Sequence, residues 1–397
     1  MSEWKRYKLS ELYEMSSGIS STKEQAGHGS PFLSFSVVFN NYFLPDSLID
    51  LMDTTDGDKQ KYSINEGDIF LTRTSETVDE LAMSSVALKD YPEASFSGFL
   101  KRLRPVDKTI VYPKFMAFYL RSPLFRRTII NNTVMTLRAS FNEAMFSYLE
   151  IMLPDFDTQK KIGDFLYSLE KKKQINNQIN QELEAMAKTL YDYWFVQFDF
   201  PDQNGKPYKS SGGKMVYNPE LKREIPEGWG VSKVGELQIA TGKRDANFGT
   251  ENGKYDFWTT ANSPIKADEF SFEGKAILIA GNGNFYVNFT EGKFEAYQRT
   301  YVIQSEDENM LIFMYMACLQ SVEKLRKGSN GSIIKYITIG DVNNIASPYN
   351  KKVVDDFVKI YSPLINLISK NKRQNQELTQ LRNWLLPMLM NGQVKVE

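Results

Sequence analysis

One segment pattern occurs twice in this chain, and that duplication limits the fold more than any single motif does. Trp4, Leu9, Glu11 and Leu12 recur at the same spacing as Trp229, Val234, Glu236 and Leu237. Each copy reaches a glycine soon afterwards, Gly18 and Gly242. A turn into a strand follows in both, Asn65 to Leu71 and Phe272 to Ile279. Each half then ends in a long helical pattern, with Asn180-Gln181-Glu182-Leu183 in the first matching Asn375-Gln376-Glu377-Leu378 in the second. Two halves with one pattern must use one architecture, so the chain is read as a repeated domain-plus-helix unit.

The order is domain, helix, connector, domain, helix. The boundaries are 1–153 for the first domain, 154–197 for its helix, 198–225 for the connector, 226–347 for the second domain, and 348–397 for the second helix and tail. The connector is read from its cluster of Pro201, Asn204, Gly205, Pro207, Ser210, Ser211, Gly212 and Gly213. In the first helix, Ile162, Phe165, Leu169, Lys172, Asn176, Ile179, Leu183, Met186, Leu190 and Tyr193 follow steps of three and four, the spacing of a coiled-coil seam. In the second, Val354, Phe357, Tyr361, Leu364, Ile368, Asn371, Asn375, Leu378, Leu381 and Leu385 do the same, and Asn371 aligns with Asn176. Pro363 is expected to kink this second helix near its start. A helix from Asp157 to Phe195 would be roughly 58 Å long at about 1.5 Å per residue. The pattern favours two long helices paired antiparallel, with the domains at opposite ends. The alternative is a core face on each domain's own surface helix. Short strands, Gly-rich turns and a few helices make each domain α+β, mixed and sheet-dominated.

Composition removes several functional classes. At 397 residues, with 42% hydrophobic and 13% aromatic content, the chain has ample material for two packed cores. No apolar run approaches the roughly 20 residues that span a bilayer. The start, Met1 to Arg6, lacks the apolar core of a signal peptide, so a cytoplasmic protein is expected. With one histidine, His28, and one cysteine, Cys318, there is no zinc finger and no Cys/His catalytic pair. His28 is read in an exposed turn, and Cys318 as a reduced core residue in the run Leu311 to Leu319. There is no Walker-type phosphate loop, and Gly281-Asn282-Gly283-Asn284 lacks the third glycine of a dinucleotide site. Ser347-Pro348-Tyr349-Asn350 is a weak echo of the Pro-Pro-Tyr loop of amino-methyltransferases, and Glu273-Gly274-Lys275 has the E-x-K form of metal-dependent nucleases. Neither has the constellation that catalysis needs, so a non-catalytic chain without metal is expected.

The binding features are richer. From Lys101 to Arg138 the charge is almost all basic, with Lys101, Arg102, Arg104 and Arg138 taken as candidate DNA contacts and Asp107 as the acidic exception. Arginine suits both phosphate and the guanine edge. The interleaved aromatics Tyr112, Phe115, Phe118, Tyr119 and Phe125 are read as the core face of a helix. Polar loops at equivalent strand ends are where related domains read different bases. These are Thr72, Arg73, Thr74 and Ser75 in the first domain, and Asn282 and Asn284 in the second. Lys243, Arg244, Gln298, Arg299 and Lys335 complete the candidates. A formal net charge of −1 argues against a chain that grips DNA alone, since phosphate neutralisation supplies much of such affinity.

Three segments resemble the specificity subunits of type I restriction–modification systems. They are the connector from Pro201 to Val216 running into Arg223-Glu224-Ile225-Pro226-Glu227-Gly228-Trp229, the end from Leu385 to Val396, and the helix start from Leu153 to Ile162. The second helix start, Ser347 to Val353, lacks the glutamine that Gln159 supplies in the first. The resemblance implies that each domain is a target recognition domain reading half of a bipartite DNA sequence, and that the helices set the spacer between the halves. It further implies that methylation subunits, two of them, dock on the helices and bring S-adenosylmethionine, while restriction subunits bring ATP-driven cleavage. No cofactor is expected on this chain. Two other readings stand beside this one: a non-catalytic helical scaffold, and an S-like subunit of a modification-only defence system.

Overall fold

The computed structural model describes residues 4–133, 139–251, 253–331, 335–394 and 396, the side chain of Asp79 excepted. The chain forms two compact units, the first made of Met1–Ile175 with Gln374–Glu397 and the second of Asn176–Arg373.

Each unit is built on a four-stranded antiparallel sheet. In the first, β1 (Tyr13–Ser17), β2 (Ile69–Thr72), β3 (Ser84–Val86) and β4 (Leu100–Pro105) lie in the order β1-β4-β2-β3. In the second, β5 (Gln238–Thr241), β6 (Ala276–Ala280), β7 (Val287–Thr290) and β8 (Thr300–Gln304) repeat it as β5-β8-β6-β7. β2 and β6 read as nearly continuous apolar runs because both of their faces are covered. Ile69, Leu71 and Leu103 pack on Phe115 and Phe118 of the helix Pro113–Tyr119, while Phe70 and Leu100 pack on the opposite side with Leu33 and Phe96. In the second unit Ile277, Ile279 and Ile303 meet Phe313, Ala317 and Cys318 of the helix Glu308–Gly328. Leu278 and Val302 face Trp258, Phe272 and Phe294. β2 and β6 are entered through Gly67 and Gly274, whose φ values of +92° and +102° lie where glycine alone is unstrained.

The repeated sequence segments occupy equivalent places. The strand Lys5–Lys8 pairs with Glu150–Leu153, and Gly230–Lys233 pairs with Ala346–Tyr349. Just beyond, Leu9 donates its amide to Leu149 O and Val234 to Ile345 O, both at 2.9 Å. The connector is packed rather than loose. Phe198, Phe200 and Ile225 are buried in the second unit's core, and Phe200 stacks on Tyr208 with ring centroids 4.8 Å apart. His28 lies exposed in the irregular strand Ala26–Leu33, not in a turn.

Two long helices complete the units, α1 (Phe156–Tyr191) of 36 residues and α2 (Lys351–Met390) of 40. Asp155 and Asn350 cap them in the same way, accepting the amides of Thr158 and Val353. Gln159 is buried and ties the start of α1 to the first domain, accepting from Tyr112 N and donating to Ile110 O and Pro154 O. Buried Val354 stands in the corresponding place of α2, so that start is held by apolar packing instead. α2 runs without interruption through Pro363 and Pro387. Both prolines are exposed, so the carbonyls that lack an N–H donor face solvent.

Each unit holds the start of one helix and the end of the other. In the first, Ile162 and Leu166 share a core with Leu386, Leu389 and Met390, and Arg382 pairs with Glu170 at 3.0 Å. In the second, Asn371 Nδ2 donates to Asn180 Oδ1 at 2.9 Å and, further along, Tyr191 meets Phe357, so the segments run antiparallel. The contact face differs from the apolar seam expected of α1. Ile162 and Asn176 are buried as expected, but the contact then passes through Asn180, Ala187, Tyr191 and Trp194. Ile179, Met186 and Tyr193 are exposed, Met186 by 58%. On α2, Arg382 and Leu386 are buried where Leu381 was expected. A three-four spacing fits either row, and the partner helix selects the row whose side chains it can satisfy.

The buried Asn180–Asn371 pair generates a stability test. Asn371→Leu strands the Asn180 carbonyl and should cost about 1–3 kcal/mol in thermal unfolding. The double variant Asn180→Leu/Asn371→Leu should recover most of that loss, because it removes both polar groups together.

Candidate nucleic-acid interface

At one end of each sheet, five similar backbone hydrogen bonds gather four segments, the place of Ile19 in the first being shared by Lys243 and Arg244 in the second. In the first unit Ile19 N donates to Phe96 O (2.9 Å), Gly98 N to Ile19 O (2.7 Å), Leu100 N to Ser97 O (2.9 Å), Arg73 N to Phe99 O (2.9 Å) and Phe141 N to Arg73 O (2.8 Å). In the second, Lys243 N donates to Ala296 O (3.0 Å), Gln298 N to Arg244 O (2.9 Å), Thr300 N to Tyr297 O (2.7 Å), Gly281 N to Arg299 O (2.7 Å) and Ile337 N to Gly281 O (3.0 Å). The tight approach explains the repeated glycine after β1 and β5. A Cβ on Gly18 would lie 2.2 Å from Ser97 O, and one on Gly242 would lie 2.2 Å from Tyr297 O. A short helix follows the fourth segment in each unit, Glu143–Tyr148 capped by Asn142 and Ile339–Asn343 capped by Thr338.

This frame equates positions across the halves. Arg73 corresponds to Gly281, Thr74 to Asn282, Gly98 to Gln298 and Phe99 to Arg299. Thr74 and Ser75 are half-buried in a two-residue strand paired with Ala139–Ser140, and Asn282 bridges Tyr336 at the matching place.

Several residues read as DNA contacts in the first domain are instead held by that domain. Thr72 is fully buried, donating to Glu80 O and accepting from Met83 N. Lys101 is buried and donates to Ser17 Oγ (2.8 Å) and Glu143 Oε1 (2.6 Å). Arg102 is buried on the other face of β4, donating to Ser63 O at 2.6 Å and lying over Phe96. Arg104 makes two bonds to the buried carboxylate of Asp68, at 2.8 and 2.6 Å. The basic run reads as a surface stripe in sequence, yet strand alternation turns these side chains into the layers on either side of β4. Further along the run, Arg121 donates to the carbonyls of Ser84, Val38, Phe39 and Asn41. The aromatics Phe115, Phe118, Tyr119 and Phe125 are buried, as expected, on the two helices Pro113–Tyr119 and Pro123–Asn132. Arg73 is exposed at the edge, with Nη1 3.5 Å from Gly98 O. Arg138 lies outside the described residues.

In the second domain the candidates converge. Lys243, Asn284, Gln298, Arg299 and Lys335 are exposed, and Arg244 and Asn282 are half-buried, all on the frame described above. Arg244 is oriented by Glu269 (2.6 Å) and by the buried Glu295 (3.4 Å), and its guanidinium lies over Phe248. Asn284 Nδ2 donates to Tyr286 Oη at 3.2 Å, and Lys335 O accepts from Gly283 N at 2.9 Å. The edge thus presents cations for phosphate and amide groups suited to adenine, on a rigid backbone. Residues that sequence reasoning missed are Phe99, Ser140 and Tyr336. Phe99 carries no signal in the sequence, and only the hydrogen-bond frame aligns it with Arg299.

The motifs with an enzymatic flavour have structural places. Ser347 to Tyr349 form a paired strand, and Ser347 Oγ shares a 2.7 Å hydrogen bond with Tyr191 Oη. Gly274 turns the chain into β6, and Lys275 pairs with Glu308. Cys318 is a free, buried thiol whose pKa burial pushes up, which disfavours the reactive thiolate.

These placements separate structural cations from surface ones. Lys101→Ala and Arg102→Ala should each lower unfolding stability by about 1–3 kcal/mol through lost charged hydrogen bonds. Lys243→Ala and Lys335→Ala should stay within about 0.5 kcal/mol of the parent in the same denaturation experiment.

The model for the type I restriction modification DNA specificity domain matches residues 1–185 and 226–380. The specificity subunit of type I restriction enzyme EcoDI from Escherichia coli is 33% identical over 186 residues, which are 44% of this chain and only 40% of that relative's length. The HindI specificity subunit of Haemophilus influenzae is 23% identical, over 99% of this chain and 100% of its own. A solved S subunit of a type I restriction–modification system from M. genitalium has a TM-score of 0.61 at 14% identity, covering 98% of this chain and 96% of that one, a likeness of fold. With both halves of its duplicated sequence matched, this chain belongs to the type I restriction modification DNA specificity domain family.

Proposed function

We propose that the chain is the sequence-reading subunit of a type I restriction–modification complex, each domain reading one half of a bipartite DNA target. One observation carries this: a single backbone frame is built twice and presents different side chains each time, Gly98 and Phe99 against Gln298 and Arg299. Direct readout needs such a fixed frame, because base edges are distinguished by donor and acceptor positions. Asn282, Asn284, Gln298, Arg299, Lys243, Arg244 and Lys335 form the reading and phosphate-binding set of the second domain. Arg73, Thr74 and Ser75 serve the first.

The chain is non-catalytic in this reading, and its chemistry comes from partners. Two methylation subunits carry S-adenosylmethionine, and restriction subunits carry ATP-dependent cleavage. The exposed apolar rows on the helices support docking there. They are Ile179 and Met186 on α1, Tyr193 just beyond it, and Ile360 and Leu367 on α2 in the second unit, and Leu381 with Trp384 in the first. The net charge of −1 accords with a reader held on DNA by its partners. The site of action is the cytoplasm, and among the described residues no helix is long and apolar enough to cross a membrane.

Co-expression with the neighbouring methylation subunit, followed by genome-wide mapping of methylated adenines, tests the proposal. A split motif with a fixed gap, present only with both proteins, is the expected result. Methylation by this chain alone, or a stable complex without any motif, would overturn it. Arg299→Ala should cost about 1–3 kcal/mol in binding and relax one base pair of the motif, whereas Lys335→Ala should weaken all sequences alike and reduce the salt slope by about 1. Since α1 is one continuous helix running from the first unit into the second, deleting whole turns within Lys171 to Asn180 should alter the gap and leave the bases unchanged. Altered bases at an unchanged gap would refute the spacer role.

A further inference from the structure

The turns Ser97 to Leu100 and Tyr297 to Thr300 are closed by the same bond, yet one presents Arg299 and the other an apolar ring. Phe99 is 66% exposed at that tip, whereas Phe96, three residues earlier, is fully buried. The tip is fixed: Phe99 O accepts from Arg73 N at 2.9 Å, Phe99 N donates to Ser97 Oγ at 3.3 Å, and Arg73 Nη1 reaches Gly98 O at 3.5 Å. A ring carried on a tip whose main chain is already anchored requires no backbone ordering on binding. Beside it stand the Thr74 and Ser75 strand and the exposed Arg73, groups that suit a polar surface rather than a protein core.

We infer that Phe99 contacts the C5-methyl group of a thymine in the first domain's half-site and specifies that base pair. The inference rests on the DNA-reading role proposed above. Among the groups that base edges present in the major groove, the thymine methyl is the apolar one, so an apolar reader at this position selects it. The two halves of the target then differ in kind. The first contains a thymine read by an apolar contact, and the second is read through the cationic and amide groups around Arg299.

The test uses the chain in complex with its methylation subunit and a duplex carrying the mapped motif. Each thymine of the half-sites is replaced in turn by deoxyuridine, which deletes the methyl and keeps every hydrogen-bonding group. Binding is read by fluorescence anisotropy. One position, confined to one half-site, should weaken binding about fourfold, the factor for one buried methyl-sized group. Phe99→Ala should bind more weakly, keep its Tm and lose sensitivity to that replacement. Phe99→Leu should keep part of the sensitivity, and Arg299→Ala should keep all of it. A half-site without thymine on either strand would overturn the inference, as would deoxyuridine sensitivity that survives in Phe99→Ala. Weaker binding by Phe99→Ala with no thymine response would instead indicate a wedge between base steps, and also overturns it. Absence of any split motif would sink the reading role and this inference together, whereas a motif insensitive to Phe99 sinks this inference alone.

Discussion

Leu386, Leu389 and Met390, the last turns of α2, lie in the core of the first unit, although the chain reaches them only after the whole second domain. Ala187 and Tyr191, near the end of α1, and Trp194 just beyond it, lie in the core of the second. Each domain is therefore completed by the helix of the other half. A fully buried Leu or Met contributes roughly 1.5–3 kcal/mol, so neither core is finished by its own local sequence. One domain-plus-helix unit on its own would leave that part of its core open to water.

The exchanged helix segments are fastened by polar groups as well as apolar ones. Arg382 is buried against Glu170, with its guanidinium over the Tyr42 ring, on which Arg121 also lies. In the second unit the Asn371 amide meets Asn180. Buried polar pairs add little net stability, but they penalise any slip, because each shifted register would strand them. The seam thus trades some apolar contact for a fixed register, and it leaves Ile179 and Met186 on the outside, where a partner surface can cover them.

The frame at the sheet end depends on a different economy. Five backbone hydrogen bonds, repeated in both units, hold four chain segments at one sheet end. Because the frame is made of main chain, side chains at its tips are free to differ, and they do, from Phe99 to Arg299. Two glycines, Gly18 and Gly242, are fixed by that frame, since any Cβ would collide with a turn carbonyl at 2.2 Å. Positions that build the frame are constrained, and positions that it displays are not. This is the separation a recognition module requires.

Much of the plan was legible in the chain itself. The repeat spacing of Trp4 and Trp229, the strand runs, and the two helical patterns are local signals, and local periodicity survives folding. The exposure of Asn284, Gln298 and Arg299 was also readable, because polar residues in a turn beside an apolar strand face water. Three things were not legible. Lys101, Arg102 and Arg104 looked like a basic surface, and only the layers on both sides of β4 turned them inward onto Glu143, Ser63 and Asp68. The face of α1 that is buried was ambiguous, since a three-four spacing fits two adjacent rows and the choice belongs to the opposing helix. The equivalence of Phe99 and Arg299 has no trace in residue identity, because it is written in main-chain hydrogen bonds. Sequence by itself determined which elements form and that they form twice. Tertiary structure decided which side chains point inward, because burial is a property of what packs against a strand or helix and not of the strand or helix alone.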